Sequence, residues 1–173
     1  MLMDFTDLIP MNKSRKRPKG GDVFLVQPFF NVYYYGKVIQ TQIQSRDSCV
    51  NGMNLIFIYD KCADAQSIPD DLSDADFLIP PTIINKLPWS RGYFETIGNT
   101  QVTELEKSMS YGFWSFQRKR FVDVQGTPLA HKPQCWSDYG LASYAVVGEK
   151  IQTVLKDKKV CDHFKAGIVC GHA

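Results

Sequence analysis

The 173-residue chain has little net charge, no long apolar run and no regular spacing of cysteines, and each of these features excludes a class of protein. Its formal net charge of +2 at pH 7 does not by itself indicate a nucleic-acid-binding protein. No apolar run reaches the roughly 20 residues that a membrane-spanning helix needs. The N-terminus carries Asp4 and Asp7 and has no basic segment before an apolar one, so it does not resemble a secretory signal. We therefore expect a cytoplasmic protein that has no membrane partner.

The common catalytic and cofactor-binding motifs are also missing. The sequence has no glycine-rich phosphate loop, no metalloprotease histidine pair, no nucleophile elbow and no paired CxxC. His131 has Cys135 four residues after it, but closeness in sequence does not create the hydrogen-bonded pair that nucleophilic catalysis requires. We expect no enzymatic activity, no catalytic residue and no cofactor.

Five cysteines at irregular spacing do not make a disulfide framework, so we expect reduced thiols. Near the C-terminus, four residues of the types that bind zinc form a candidate metal site: Cys161, His163, Cys170 and His172. Only one residue separates each cysteine from its histidine, which is tighter than the spacing in structural zinc fingers. The alternative is a tail without metal.

Two runs of strand-forming residues, 23–26 and 32–43, predict a β-hairpin with its connector at 28–31. Because strand side chains alternate, Val32, Tyr34 and Val38 share one face of the second strand. The opposite face carries another apolar set: Tyr33, Tyr35, Ile39 and Ile43. A strand with large apolar groups on both faces is expected to be covered on both sides, and Gly36 indicates a bulge or a close approach of another group.

Further strands are predicted at 53–59, at 77–79 before the Pro80-Pro81 corner, at 89–98, at 111–116 and at 120–124. Single helical turns are predicted at 70–74 and 103–107. Apolar residues at steps of three and four predict a C-terminal helix with Asp138 as its N-cap: Leu141, Tyr144, Ala145, Gly148, Ile151 and Leu155. The fold class is therefore α+β and mostly β, an antiparallel twisted sheet or partly open barrel with one C-terminal helix packed on it.

The chain is long enough for one hydrophobic core. We predict a flexible basic lead-in at 1–20, a single β-rich domain at 21–157 and a loose tail at 158–173. The lead-in contains a basic run: Lys13, Arg15, Lys16, Arg17 and Lys19. Such a run is able to bind a polyanion, but it has no interleaved aromatics and no groove to continue into, so a solvated tail is favoured and nucleic acid is not expected.

An acidic tract lies in the middle of the chain: Asp60, Asp64, Asp70, Asp71, Asp74 and Asp76. A calcium loop would need a glycine turn and a bidentate glutamate, and the tract contains neither. Two interpretations stay open. The tract forms a binding face for a basic partner, or it is a solvated loop.

Five segments carry a family resemblance: KGGDVFLVQ (19–27), YYYGKVI (33–39), LIPP (78–81), PWSRGYF (88–94) and YGLASY (139–144). Together they resemble the immunity protein 26 family of bacterial polymorphic-toxin systems, some members of which carry a HocA-type phosphotriesterase label. The resemblance spans residues 19 to 155.

This resemblance implies a mostly β domain that binds a cognate toxin, often a nuclease, and neutralises it stoichiometrically. Because interface energy concentrates in a few charged and aromatic side chains, we expect the toxin contacts among Asp60, Asp64, Asp70, Asp71, Asp74, Tyr33 and Trp89. The alternative that the resemblance leaves open is a metal-dependent phosphotriester hydrolase, which would need histidine and carboxylate ligands for a metal-activated water. The oligomeric state stays open.

Overall fold

The computed structural model describes residues 6–63 and 67–158. Five antiparallel strands form the main sheet in the order β4-β3-β2-β1-β5: β1 Asp22–Phe29, β2 Val32–Gln40, β3 Asn54–Cys62, β4 Phe77–Ile84 and β5 Glu95–Asn99. Three short strands form the small sheet in the order β7-β6-β8: β6 Gly112–Ser115, β7 Arg120–Val122 and β8 Trp136–Asp138. The helical segments are a 3₁₀ turn at Leu72–Asp74, α1 Leu87–Arg91, α2 Glu104–Ser108 and α3 Tyr144–Asp157. The predicted fold class is confirmed, as an open sheet with one C-terminal helix.

The predicted hairpin is confirmed, and the main sheet is covered on both faces. Val32, Tyr34 and Val38 of β2 pack in one core cluster with the buried side of α3. Tyr35 and Ile43 lie in a second cluster, together with apolar residues of the small sheet. At Gly36 a Cβ atom would lie 2.3 Å from the ring of Phe24, so glycine is needed there for close approach of the ring.

The Pro80-Pro81 corner does not end a strand, contrary to the prediction. β4 continues through both prolines to Ile84, at one edge of the main sheet. The pairing register with β3 shifts at this point, from Ile58 opposite Ile79 to Ile56 opposite Thr82. Proline lacks a backbone donor and is tolerated at edge strands and irregularities of this kind.

The strand predicted at 89–98 is wrong in its first half. Residues Leu87–Arg91 form the short helix α1, with Pro88 in its first turn. Gly92 then ends the helix in the left-handed region at φ 88°. Proline near the start and glycine after the end are typical of helices, and here they outweigh the strand preference of the aromatic residues. The strand begins only at Glu95.

The C-terminal helix is confirmed, but Asp138 is not its N-cap. Asp138 ends β8, and α3 begins at Tyr144. The Oγ of Ser143 accepts a hydrogen bond of 3.2 Å from the backbone N–H of Val146 and so caps the first turn. Leu141 lies before the helix and is exposed, whereas the side of α3 that faces the main sheet carries Val147, Gly148, Ile151 and Leu155.

Residues before the first strand already contact the main sheet and α1. Leu8 is buried in the first core cluster. The backbone N–H of Ile9 donates to the carbonyl of Gln27 at 2.8 Å, and that of Ser14 donates to the carbonyl of Trp89 at 2.9 Å. These contacts begin ahead of the predicted domain start at residue 21. Flexibility of the lead-in stays a prediction, and the tail from residue 159 lies outside the described residues.

Candidate interaction surfaces

The acidic tract runs from the end of β3 to the start of β4, around the 3₁₀ turn. We call it the acidic surface, and its described members are Asp60, Asp70, Asp71, Asp74 and Asp76. A hydrogen bond of 2.7 Å from the backbone N–H of Asp60 to the carbonyl of Asp76 joins the end of β3 to this turn. Asp64 belongs to the predicted set but lies outside the described residues.

Cations neutralise part of the acidic surface. Lys61 Nζ lies 2.6 Å from Asp71 Oδ1, and the hydrogen bond and charge of this lysine hold the pKa of the Asp71 carboxyl below its usual value. Asp60 pairs with Lys158. Within residues 6–63 and 67–158 no ion pair involves the exposed Asp70, Asp74 and Asp76. These three carboxylates are therefore the ones left to attract a basic partner.

Of the two aromatic residues predicted as exposed anchors, Trp89 is not on the surface. It is 2% exposed and belongs to the first core cluster. Its ring meets Phe24 and Phe94 edge to face, and its Nε1 donates to Thr96 Oγ1 at 3.1 Å. The helix α1 places the indole against these two rings. Tyr33 is half-buried against the second core cluster, so part of its ring stays accessible.

Sequence reasoning missed a group of neighbouring aromatic side chains on the outside of the small sheet. We call it the aromatic face: Trp114, Phe116, Phe121 and Trp136. Ring centroids lie 5.0 Å apart for Trp114 and Phe121 and 5.3 Å apart for Phe121 and Trp136. Phe116 is 70% exposed and Trp136 36% exposed, and the other two rings are half-buried.

Strand alternation explains why the three rings that belong to strands point outward. Phe113 of β6 is fully buried and pairs with Val122 and Ser137, which face the core with it. The next residue, Trp114, pairs with Phe121 and therefore points to the opposite side. The alternating pattern of residues 112–116 was the available signal, but it became informative only once the inner face was known.

The aromatic face is apolar at its centre and polar at its rim. Lys132 Nζ lies 5.8 Å from the centre of the Trp136 ring, and the exposed Asp138 lies beside Trp114 in the register of β6 and β8. From Trp136 a groove of about 480 Å³ continues to α3, where Val146 and Val154 line it. An apolar centre with a polar rim is the usual anatomy of a protein–protein interface.

The metal and catalytic candidates gain no geometric support. Within residues 6–63 and 67–158, no group of three His, Cys, Asp or Glu side chains is placed to hold a metal ion. The four predicted zinc ligands, Cys161, His163, Cys170 and His172, all lie outside the described residues. No hydrogen bond joins His131 to Cys135 in the described part of the chain, and burial raises the pKa of the Cys135 thiol.

Cys62 is disulfide-bonded, so the expectation of five reduced thiols is wrong at this position. Cys49 and Cys135 are free thiols.

Among the described helices, none combines the length and the apolar character that crossing a membrane would need.

Comparison with known proteins gives one match. A family model described as Immunity protein 26 matches residues 19–119, which is more than half of the chain and covers β1 to β6. The match does not support the HocA-type phosphotriesterase link. Neither the curated proteins nor the solved structures that were searched gave a significant match. The mostly β architecture agrees with the expectation from the resemblance, and the chain belongs to the immunity protein 26 family.

Proposed function

We propose that this protein binds a cognate bacterial toxin and neutralises it by forming a stoichiometric complex. Membership of an immunity protein family supports a toxin as the partner. We assign the toxin contact to the aromatic face because Phe116 and Trp136 expose their rings to solvent there. Enzymatic turnover is not needed for this function, because a bound inhibitor blocks its target one for one.

The aromatic face suits a toxin contact for an energetic reason. Each large aromatic side chain removes about 150–250 Å² from water when it is buried, and contiguous apolar patches on soluble proteins commonly mark binding sites. Hot-spot residues at interfaces are enriched in tryptophan and cluster at the centre of the buried area. Trp114 and Phe121 pack edge to face against each other, so they are held in place before a partner arrives. Little conformational entropy would be lost when the complex forms.

The acidic surface is a second candidate contact, as the sequence predicts. Asp70, Asp74 and Asp76 would accelerate association with a basic toxin through long-range attraction. Asp60 and Asp71 already have lysine partners and would contribute less. Asp64 and Tyr33 stay in the proposed contact set, whereas the buried Trp89 leaves it.

The test takes the product of the gene next to that of this protein as the candidate toxin and produces it in cells, with and without this protein. We expect the toxin alone to stop growth and co-production to restore it. A complex with one copy of each chain should then be recovered by size-exclusion chromatography with light scattering. If growth is not restored while both proteins accumulate in folded form, the proposed function is wrong. Assay of nuclease activity in the purified toxin decides whether it belongs to that class.

A further inference from the structure

The basic run of the lead-in lines a groove, and we propose that this groove binds the phosphodiester backbone of nucleic acid. We call it the basic groove. Residues 12–19 form one wall, and β5 and α1 form the other, around a volume of about 680 Å³. Four cationic side chains line it: Lys13, Lys16, Arg17 and Lys19. The sequence alone offers a basic run without a groove, and the structure supplies the groove.

The cations of the basic groove are not neutralised by neighbouring carboxylates. None of the four takes part in an ion pair within the described residues. Two carboxylates, Asp22 and Glu95, also line the groove, but amide donors occupy them. Asn12 Nδ2 donates to Glu95 Oε1 at 2.6 Å. The backbone N–H of Lys19 and the Nδ2 of Asn99 each donate to Asp22 at 2.9 Å. The carboxylates therefore hold the wall of the groove in position, and four cations against two carboxylates leave the groove with an excess of two positive charges.

Backbone hydrogen bonds hold this wall at both ends. The N–H of Met11 donates to the carbonyl of Gly92 at 2.7 Å, and the N–H of Ser14 donates to the carbonyl of Trp89 at 2.9 Å. Beyond the run, the N–H of Gly21 donates to the carbonyl of Val38 at 2.7 Å. A segment held in this way presents its lysines and its arginine with less loss of entropy on binding than a free tail would.

The arrangement of charge favours a phosphodiester chain as the ligand. Phosphates recur along a nucleic acid strand, and lysine and arginine both bind them through charge-assisted hydrogen bonds. An acidic peptide would also supply anions, but protein partners are held by apolar anchors, and the one tryptophan that lines the groove, Trp89, is buried. Because no exposed ring for base stacking lies among the described residues that line the groove, binding should depend on salt and not on base sequence.

The test is a titration of a fluorescein-labelled single-stranded DNA of about 20 nucleotides, followed by fluorescence anisotropy at several salt concentrations. The variant Lys16→Glu/Arg17→Glu should weaken binding at least tenfold at low salt. It should also reduce the slope of log K against log salt by about 1.4, since each phosphate contact on a single strand contributes about 0.7. The matched control is Lys119→Glu/Arg120→Glu, the same change of charge on two exposed residues, one in the turn between β6 and β7 and one at the start of β7. It should alter affinity less than about twofold if the groove is the site.

Three results would overturn the proposal. The first is no binding of the wild type even at low salt. The second is an equal loss in both charge-reversed variants, which would show only a general effect of net charge. The third is preferential binding of a poly-glutamate peptide that competes with the DNA, which would assign the groove to a protein ligand. If the reversed variant does not fold, the charge-removing pair Lys16→Gln/Arg17→Gln gives the same comparison. None of these results depends on the toxin, so failure of the basic groove leaves the proposed function standing.

Discussion

Lys37 and Glu106 form an ion pair that is closed to solvent, with Lys37 Nζ 2.9 Å from Glu106 Oε2 and the two residues 3% and 1% exposed. Lys37 comes from the centre of β2 and Glu106 from α2. Both groups have further hydrogen-bond partners, because Lys37 also donates to the carbonyl of Gln101 at 2.9 Å and Glu106 accepts from Tyr59 Oη at 2.5 Å. Glu106 accepts a further bond of 2.8 Å from the backbone N–H of Thr103, and the backbone N–H of Glu106 donates in return to Thr103 Oγ1 at 3.1 Å. The network attaches α2 to the main sheet.

Replacing Lys37 by methionine should lower the free energy of unfolding by about 3–5 kcal/mol, because a buried carboxylate would lose its counter-charge. The matched control is Lys107→Met, which breaks the exposed pair of Lys107 with Glu104 in the same helix. An exposed pair of this kind contributes about 0–1 kcal/mol. Urea denaturation of the three proteins measures both differences. Equal losses in the two variants would mean that burial of the first pair has no energetic consequence.

The stability of the fold should depend on the titration of Glu106. Burial raises the pKa of this carboxyl, but the hydrogen bonds from Tyr59, Thr103 and Lys37 and the charge of Lys37 outweigh that effect and bring the pKa below its ordinary value of 4.5. A group with a lowered pKa in the folded state stabilises it above the unfolded pKa, and this contribution is lost as the pH falls through the folded pKa. Burial and the bond to Glu106 raise the pKa of Tyr59, so that phenol stays a donor throughout this range.

The measurement is the free energy of unfolding of the wild type and of Glu106→Gln at a series of pH values from neutral downward. The free energy of unfolding of the wild type should exceed that of the variant by a constant amount above pH 4.5. The difference should shrink as the pH falls below this value. An excess that grows on acidification would contradict the direction of the pKa shift. The variant serves as its own control, since glutamine does not titrate.

Gly36→Ala should destabilise the protein by about 1–3 kcal/mol, since the new Cβ would overlap the ring of Phe24 in a packed core. Phe24 cannot move freely because it stacks on Phe94 with ring centroids 4.6 Å apart. The matched control is Gly140→Ala, where nothing lies within 4 Å of the added atom. Thermal unfolding of both variants gives the comparison. A loss at position 140 as large as that at position 36 would contradict the packing explanation.

Period-two alternation was enough to predict both faces of β2. Successive side chains point to opposite faces, and both faces are covered, so Tyr34 and Tyr35 lie in different core clusters. The position of Trp89 was not predictable in the same way. Its neighbours favour a strand, and only Pro88 and Gly92 indicate the start and the end of the five-residue helix in which the indole is buried. A helix this short has few sequence signals. The strand propensity of its aromatic neighbours is the stronger signal in the sequence, so the sequence alone favours a strand.

The two surfaces outside the predicted site depend on long-range contacts. The aromatic face exists because Phe113 and Val122 commit the inner side of the small sheet to the core, which leaves Trp114 and Phe121 outside. The basic groove exists because the lead-in runs beside β5. No local pattern in residues 12–19 indicates that these two segments lie next to each other. The acidic surface, by contrast, follows directly from the sequence, since carboxylates on a loop remain exposed unless a partner covers them.

Docking of the toxin on the aromatic face is decided by the dissociation constants of the toxin complexes of Phe116→Asp and Phe30→Asp. The two phenylalanines are similarly exposed, at 70% and 78%, but Phe30 lies at the turn of the β1–β2 hairpin, outside the aromatic face. Phe116→Asp should weaken binding by about 30-fold or more, corresponding to about 2 kcal/mol, while Phe30→Asp should stay within about twofold of the wild type. Wild-type affinity in Phe116→Asp, together with a loss in Asp70→Asn/Asp74→Asn, would contradict the claim and assign the toxin to the acidic surface.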